Sequence, residues 1–267
     1  MRILYLGDIY AEPGLKVVDL LLKKIKKKHQ VDVVIAQVEN VTDGRGINVR
    51  DYERLIKAGV DFCTGGNWSL AQPDIIPSLN DPNSPIIRPA NYPDPTPGMG
   101  YKYLKTNGGK ILVVSLLGAV VGRDSSKPID NPLIKIDQIL KAESRKPKVA
   151  TVVNFHGDYS SEKYVIGYYL DGKVSAVIGD HWHIPTADAA VLPKGTAHIT
   201  DVGMCGTIES SIGVKTDIII KRWRDNQILR NAPEDMGPLQ FNALLFEVDP
   251  KTGLSTKAEL VQEKILT

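Results

Sequence analysis

Arg2-Ile3-Leu4-Tyr5-Leu6-Gly7-Asp8 opens the chain with an apolar run that stops on a glycine and a carboxylate. A short apolar run bounded by a turn residue reads as a buried strand, here over residues 2–6. The pattern recurs. Strands are expected at 32–38, 61–64, 111–117, 149–155 and 173–178, and several of them end in polar residues. Amphipathic stretches lie between them, at roughly 14–29, 49–58, 131–145 and 161–170. Alternation of strands and helices argues for an α/β fold. The first helix is expected to start after Pro13-Gly14, with Leu15, Val18, Leu22 and Ile25 at helical spacing. Its Lys23-Lys24 and Lys26-Lys27-Lys28 run turns away from that stripe. A solvated helix face is the better reading of the run than a phosphate site.

The last third changes character. Residues 190–200 and 239–265 read as β-hairpin material, with Asp249-Pro250-Lys251-Thr252-Gly253 as a turn. A second sheet, or an antiparallel extension of the first, is expected there. The proline-rich stretch 81–100 reads as a loop between strands, not a domain linker. There is no internal repeat, and one domain over 1–267 is the expected organisation.

The 267 residues are 42% hydrophobic and 24% charged, an ordinary globular balance able to bury a sizeable core. The net charge of +2 gives no mandate for a membrane or a sequence-specific nucleic-acid partner. Cys63 and Cys205 are far apart, so neither a disulfide framework nor a Cys-type zinc site is indicated. The N-terminal run lacks the apolar stretch of a signal peptide, and no apolar run is long enough to span a bilayer. The expected location is a reducing cytoplasm.

The polar residues of interest fall where strands are expected to end. Asp8 follows the first, Glu39 and Asn40 the second, and Asn67 the third, after Gly65-Gly66. His156 follows the 149–155 strand, and His181 and His183 follow 173–178. In an open α/β sheet those ends line the ligand crevice. Carboxylates, amides and imidazoles without thiolate suit Mn, Fe, Zn or Co. Of the other histidines, His29 ends the lysine-rich helix and reads as a surface residue. His198 lies within a strand pattern, as core or as support for the site. No nucleophile elbow, Walker A loop or C-x-x-C pair is present. Asp43-Gly44-Arg45-Gly46 is too short for a dinucleotide loop and reads as a turn.

Taken in order, Gly7-Asp8, Glu39-Asn40, Gly66-Asn67, His156-Gly157 and His181-x-His183 resemble the blocks of calcineurin-like metallophosphoesterases. Further segments resemble one branch, the YmdB-like family of bacterial cyclic-nucleotide phosphodiesterases. These are 7–14, 39–46, Arg88-Pro89-Ala90-Asn91-Tyr92, 96–100, 155–163 and 192–204. The resemblance implies a four-layer α/β/β/α sandwich with a dinuclear site. One metal would be held by Asp8, Asn40 and His183, the other by Asn67, His156 and His181, with Glu39 bridging. Fe or Mn is favoured, with Zn or Mg as alternatives. A metal-bridging hydroxide would attack a small phosphodiester, a 2′,3′- or 3′,5′-cyclic nucleotide. A homo-oligomer is compatible with this reading.

The chain departs from the family pattern at one chemical position. Where the family has histidine in G-N-H, this chain has Trp68. In the family that imidazole is thought to assist the leaving oxygen. An indole N–H donates a hydrogen bond but gives up no proton near neutral pH. Turnover is therefore expected to be reduced, and a catalytically silent member that binds metal and nucleotide is the alternative. The last motif differs too, as Gly179-Asp180-His181-Trp182-His183 where the family tends to have hydroxyl residues. Trp68 and Trp182 thus flank ligand positions. They read either as an aromatic wall for a base or as residues that only fill space. Asp180 reads as an orienting partner for a ligand histidine, or as a solvated carboxylate.

Overall fold

A computed structural model describes residues 1–121 and 128–266. The first sheet contains β1 (Arg2–Leu6), β2 (Asp8–Ile9), β3 (Val33–Gln37), β4 (Phe62–Thr64), β11 (Met204–Thr207), β12 (Leu239–Val248) and β13 (Ser255–Ile265). Its order is β2-β11-β12-β1-β3-β4, with β13 paired to β12. The second sheet contains β5 (Tyr101–Thr106), β6 (Gly109–Leu117), β7 (Ala150–His156), β8 (Ala176–Asp180), β9 (Ala190–Val191) and β10 (Ala197–Ile199), in the order β5-β6-β7-β8-β10-β9. The described helices are α1 (Ala11–His29), α2 (Val49–Ala58), α3 (Ile76–Asn80), α4 (Pro132–Ala142), α5 (Ser160–Tyr169) and α6 (Thr216–Arg224).

Strand periodicity explains why β1 is apolar throughout. Successive side chains point to opposite faces, and both faces of this strand are covered. Leu4 and Leu6 join a core with Leu15, Val18 and Leu22 of α1 and Leu55 of α2. Ile3 and Tyr5 join a second core, where Val33, Ile35 and Phe246 of this sheet meet Ile111, Val113, Val152 and Ile178 of the other. A third core packs Leu112, Val114 and Val153 against Ile136 and Ile139 of α4 and Ile166 of α5. Pairings β1–β3 and β3–β4 are parallel, as are β6–β7 and β7–β8. The carboxyl ends of these strands therefore gather at one edge in each sheet.

Several expectations need adjustment. Helix α1 begins at Ala11, three positions before Gly14. Pro13 falls in its first turn, where the missing N–H has no intrahelical partner to lose. The strand expected at 173–178 runs instead over Ala176–Asp180. Lys173 and Val174 belong to a turn made by Gly172 at φ +80°. That shift puts Asp180 inside the strand and His181 just past it. His156 is likewise the last residue of β7 and does not follow it. The C-terminal hairpin extends the first sheet, with β12 antiparallel to β1. Strand β5 and helices α3 and α6 lie outside the elements expected from the sequence pattern. Among the described residues, no helix is long and apolar enough to cross a membrane.

Phe246 is fully buried between the sheets, opposite Ile3. Phe246→Ala is expected to cost about 3–5 kcal/mol, read as a lowered urea midpoint.

Candidate metal centre

The strand ends bring Asp8, Glu39, Asn40, Asn67, His156, His181 and His183 together. Gly66 shows how closely they pack. A Cβ there would stand 2.1 Å from Glu39 Oε2 and 2.7 Å from His156 Cδ2. Only glycine lets the β4 turn pass this near a carboxylate and an imidazole.

In one half of the site, His183 Nδ1 lies 2.9 Å from the Ile212 carbonyl. A carbonyl only accepts, so Nδ1 carries the hydrogen and Nε2 keeps its lone pair. Nε2 lies 3.2 Å from Asn40 Oδ1 and 3.8 Å from Asp8 Oδ1. Asn40 is oriented because its Nδ2 donates to the Gly44 carbonyl at 3.0 Å. Asp8 Oδ1 is buried with no hydrogen-bond partner. Three acceptors thus face one another with no donor between them. Burial, with His181 nearby, brings the His183 imidazole down to about 4, so its lone pair is available at neutral pH.

The other half repeats the logic. His156 Nδ1 donates to Asp180 Oδ1 at 2.7 Å. Its Nε2 lies 3.1 Å from Asn67 Oδ1 and 3.0 Å from Glu39 Oε1. Ligand atoms of Glu39, His156 and His181 all lie within 4.8 Å of one another. His181 Nε2 also meets Asp158 Oδ1 at 3.2 Å. The Glu39 charge also acts on Asp8 and His183 of the first half.

In the half that holds His156, a proton on the imidazole offsets the neighbouring carboxylates when no cation does. Burial alone would strip His156 of its proton, but Glu39 and Asp180 outweigh it and hold the imidazole well above its ordinary range. Burial would raise the Glu39 carboxyl, and the charge of His156 instead holds it below the ordinary range. Burial and then Asp180 push the Asp8 carboxyl well up. Asp8, Glu39 and His156 are each at most 1% exposed. Buried acceptors of this kind fit one or two small cations.

Asp180 is not solvated. It is fully buried and accepts from Tyr5 Oη at 3.0 Å, Gln37 Nε2 at 3.1 Å and Asn154 Nδ2, besides His156. The partners Tyr5, Gln37 and Asn154 were not singled out from sequence. The available signal was a polar residue inside an apolar strand, which burial obliges to find a partner.

Trp68 is partly buried, and its backbone N–H donates to Glu39 Oε2 at 3.1 Å. The Arg45 guanidinium lies 3.9 Å from its ring centroid. Trp182 is partly buried, with Lys163 Nζ 4.0 Å from its ring centroid and its indole N–H donated to the Asp158 carbonyl at 3.0 Å. A ring stacking on Trp182 must therefore use the face away from Lys163. His198 belongs to the core, donating Nδ1–H to the Val177 carbonyl.

The family model for YmdB-like protein matches residues 4–261. The chain belongs to the YmdB-like family. It is 37% identical to the 2′,3′-cyclic-nucleotide 2′-phosphodiesterase of Bacillus subtilis (strain 168), covering 98% of this chain and 96% of that protein. The crystal structure of a hypothetical protein from Thermus thermophilus superposes with a TM-score of 0.89 at 35% identity, covering 99% of both chains. A novel phosphatase from Mycoplasma pneumoniae superposes with a TM-score of 0.91 at 30% identity, covering 99% of this chain and 93% of its own.

For this YmdB-like chain the protonation pattern sets a clear expectation. Against the cost of burial, Glu39 and Asp180 favour a proton on His156 when no metal is bound. A cation taken up at His156 Nε2 must displace it. Adding Mn²⁺ to metal-free protein in weak buffer at pH 7 is expected to release protons, and His156→Asn to release fewer. Metal uptake without any proton release contradicts this account.

Proposed function

We propose that this phosphoric ester hydrolase is a dinuclear-metal phosphodiesterase acting on 2′,3′- or 3′,5′-cyclic nucleotides. The observation that carries the reading is the gathering of buried ligand atoms at one edge, with Asp8 Oδ1 left without a hydrogen-bond partner and Glu39 beside His156. Asp8, Asn40 and His183 would hold one ion, and Asn67, His156 and His181 the other. Fe or Mn suits this donor set, with Zn or Mg as alternatives. When bound, the two cations supply a water of lowered pKa and neutralise charge on the phosphoryl oxygens. The helices lying outside the first and third cores support the α/β/β/α layer order.

The chain's own residues set the rest. Asp8 and Glu39 bring two negative charges to a site for two divalent ions, so the loaded site attracts an anionic diester. Nδ1–H donation to Ile212 and Asp180 fixes which nitrogen His183 and His156 present. Trp68 keeps the backbone support of Glu39 but offers no titratable proton to a leaving alkoxide. Trp68 and Trp182 are the candidates for stacking a base. Trp68 also favours a second reading, a metal- and nucleotide-binding member without turnover.

Hydrolysis of a 2′,3′-cyclic nucleotide with Mn²⁺ or Fe²⁺ tests both. Asp8→Asn and Glu39→Gln are expected to abolish turnover. Trp68→His is expected to raise it by roughly 10²–10⁴, the usual contribution of a placed acid. Metal occupancy with no turnover, in wild type and in Trp68→His alike, would leave only the silent reading.

A further inference from the structure

Lys163 of α5 and Asp201, just past β10, form an ion pair whose side chains are both 0% exposed, with Nζ 2.7 Å from Oδ2. Burial leaves the Asp201 carboxyl above its ordinary range even with Lys163 beside it. Such pairs are poor stabilisers, because desolvation of two charges cancels or exceeds their attraction. Their partners therefore say more about their role than their energy does.

Those partners surround the last ligand loop. Asp201 Oδ2 also accepts from the Trp182 backbone N–H at 2.8 Å. Lys163 Nζ packs 4.0 Å from the Trp182 ring centroid. Trp182 lies between His181 and His183, which have φ of +108° and +64°. Non-glycine residues adopt that region rarely, and only where the surroundings over-determine it. Here the loop is pinned at three points. The His181 N–H donates to Asp8 Oδ2 at 3.2 Å, the Trp182 N–H to Asp201, and His183 Nδ1–H to Ile212. The other Asp201 oxygen, Oδ1, accepts from the Gly203 N–H at 2.9 Å. The Gly203 carbonyl in turn accepts from the Asp8 N–H at 3.0 Å. One buried carboxylate thus fixes the backbone beneath His181, His183 and Asp8.

We propose that the Lys163–Asp201 pair is a positioning device for the metal centre, holding the His181-Trp182-His183 loop in the backbone geometry that turns both imidazoles toward the cations. This rests on the reading of His181, His183 and Asp8 as ligands. Lys163 and Asp201 act through Trp182 and Gly203 and are not themselves catalytic. Lys163 neutralises the carboxylate and covers the indole, so that Asp201 can stay buried as an acceptor.

The test uses the full chain with Asp201→Asn and Lys163→Met. A double variant, Lys163→Met/Asp201→Leu, leaves no orphan charge and serves where a single variant fails to fold. Folding is checked by circular dichroism below the melting temperature. Mn²⁺ affinity is measured by chelator competition, and amide hydrogen exchange at 181–183 is measured in metal-free protein. Folded variants are expected to bind Mn²⁺ about 10–100-fold more weakly, as for other residues that orient ligands. The 181–183 amides are expected to exchange faster. Folded variants with wild-type affinity and wild-type exchange overturn the proposal. If wild type itself binds no Mn²⁺, the metal reading fails, and the exchange rates alone decide whether the pair holds the loop.

Discussion

The carboxylate of Asp180 is the junction on which the rest of the structure turns. It sits on β8 of the second sheet and draws in Asn154 and His156 from β7 of the same sheet. It also takes Tyr5 from β1 and Gln37 from β3 of the first sheet. Two sheets whose facing sides are largely apolar are joined here by hydrogen bonds at the edge where the strands end. A fully buried carboxylate is tolerated because every partner donates to it. Burial, with Asp180 next, pushes the Tyr5 phenol well above its ordinary range, so it remains a donor. The same carboxylate selects the His156 tautomer. Fold and site therefore share one interaction: the group that aligns the sheets also aims the imidazole.

The substitution at Trp68 separates two functions that one position can carry. The backbone N–H of Trp68 supports Glu39 Oε2, and any residue except proline could do that. The side chain decides whether a proton can be delivered to a departing oxygen. In the proposed reading, an indole in place of an imidazole would leave the first function and remove the second. The Arg45 guanidinium on the indole keeps a fixed positive charge at the same rim.

Much of the site was legible because apolar runs end where polar chemistry begins. Asp8, Glu39, Asn40, Asn67, His156, His181 and His183 were each identifiable at the end of an apolar run, and the structure gathers them at one edge. The fold class followed from the same alternation of strands and helices. What could not be read depended on contacts between residues far apart in the chain. Lys163 pairs with Asp201 across 38 positions, and Tyr5 bonds Asp180 across 175. No local pattern announces either. Helix α6 was missed for a different reason. It is short, and its Ile218-Ile219-Ile220 run fits a strand as well as a helix. The start of β8 differs from the expectation because Val174 resembles a strand residue, while the turn at Gly172 overrides its propensity.

Anomalous diffraction from crystals of Mn²⁺-loaded protein tests the central claim most directly. Two peaks about 3.5–4 Å apart are expected. Glu39 should lie between them, with Asp8, Asn40 and His183 around one and Asn67, His156 and His181 around the other. No peak at this edge, or a single ion that leaves Asp8, Asn40 and His183 uncoordinated, would contradict the dinuclear account.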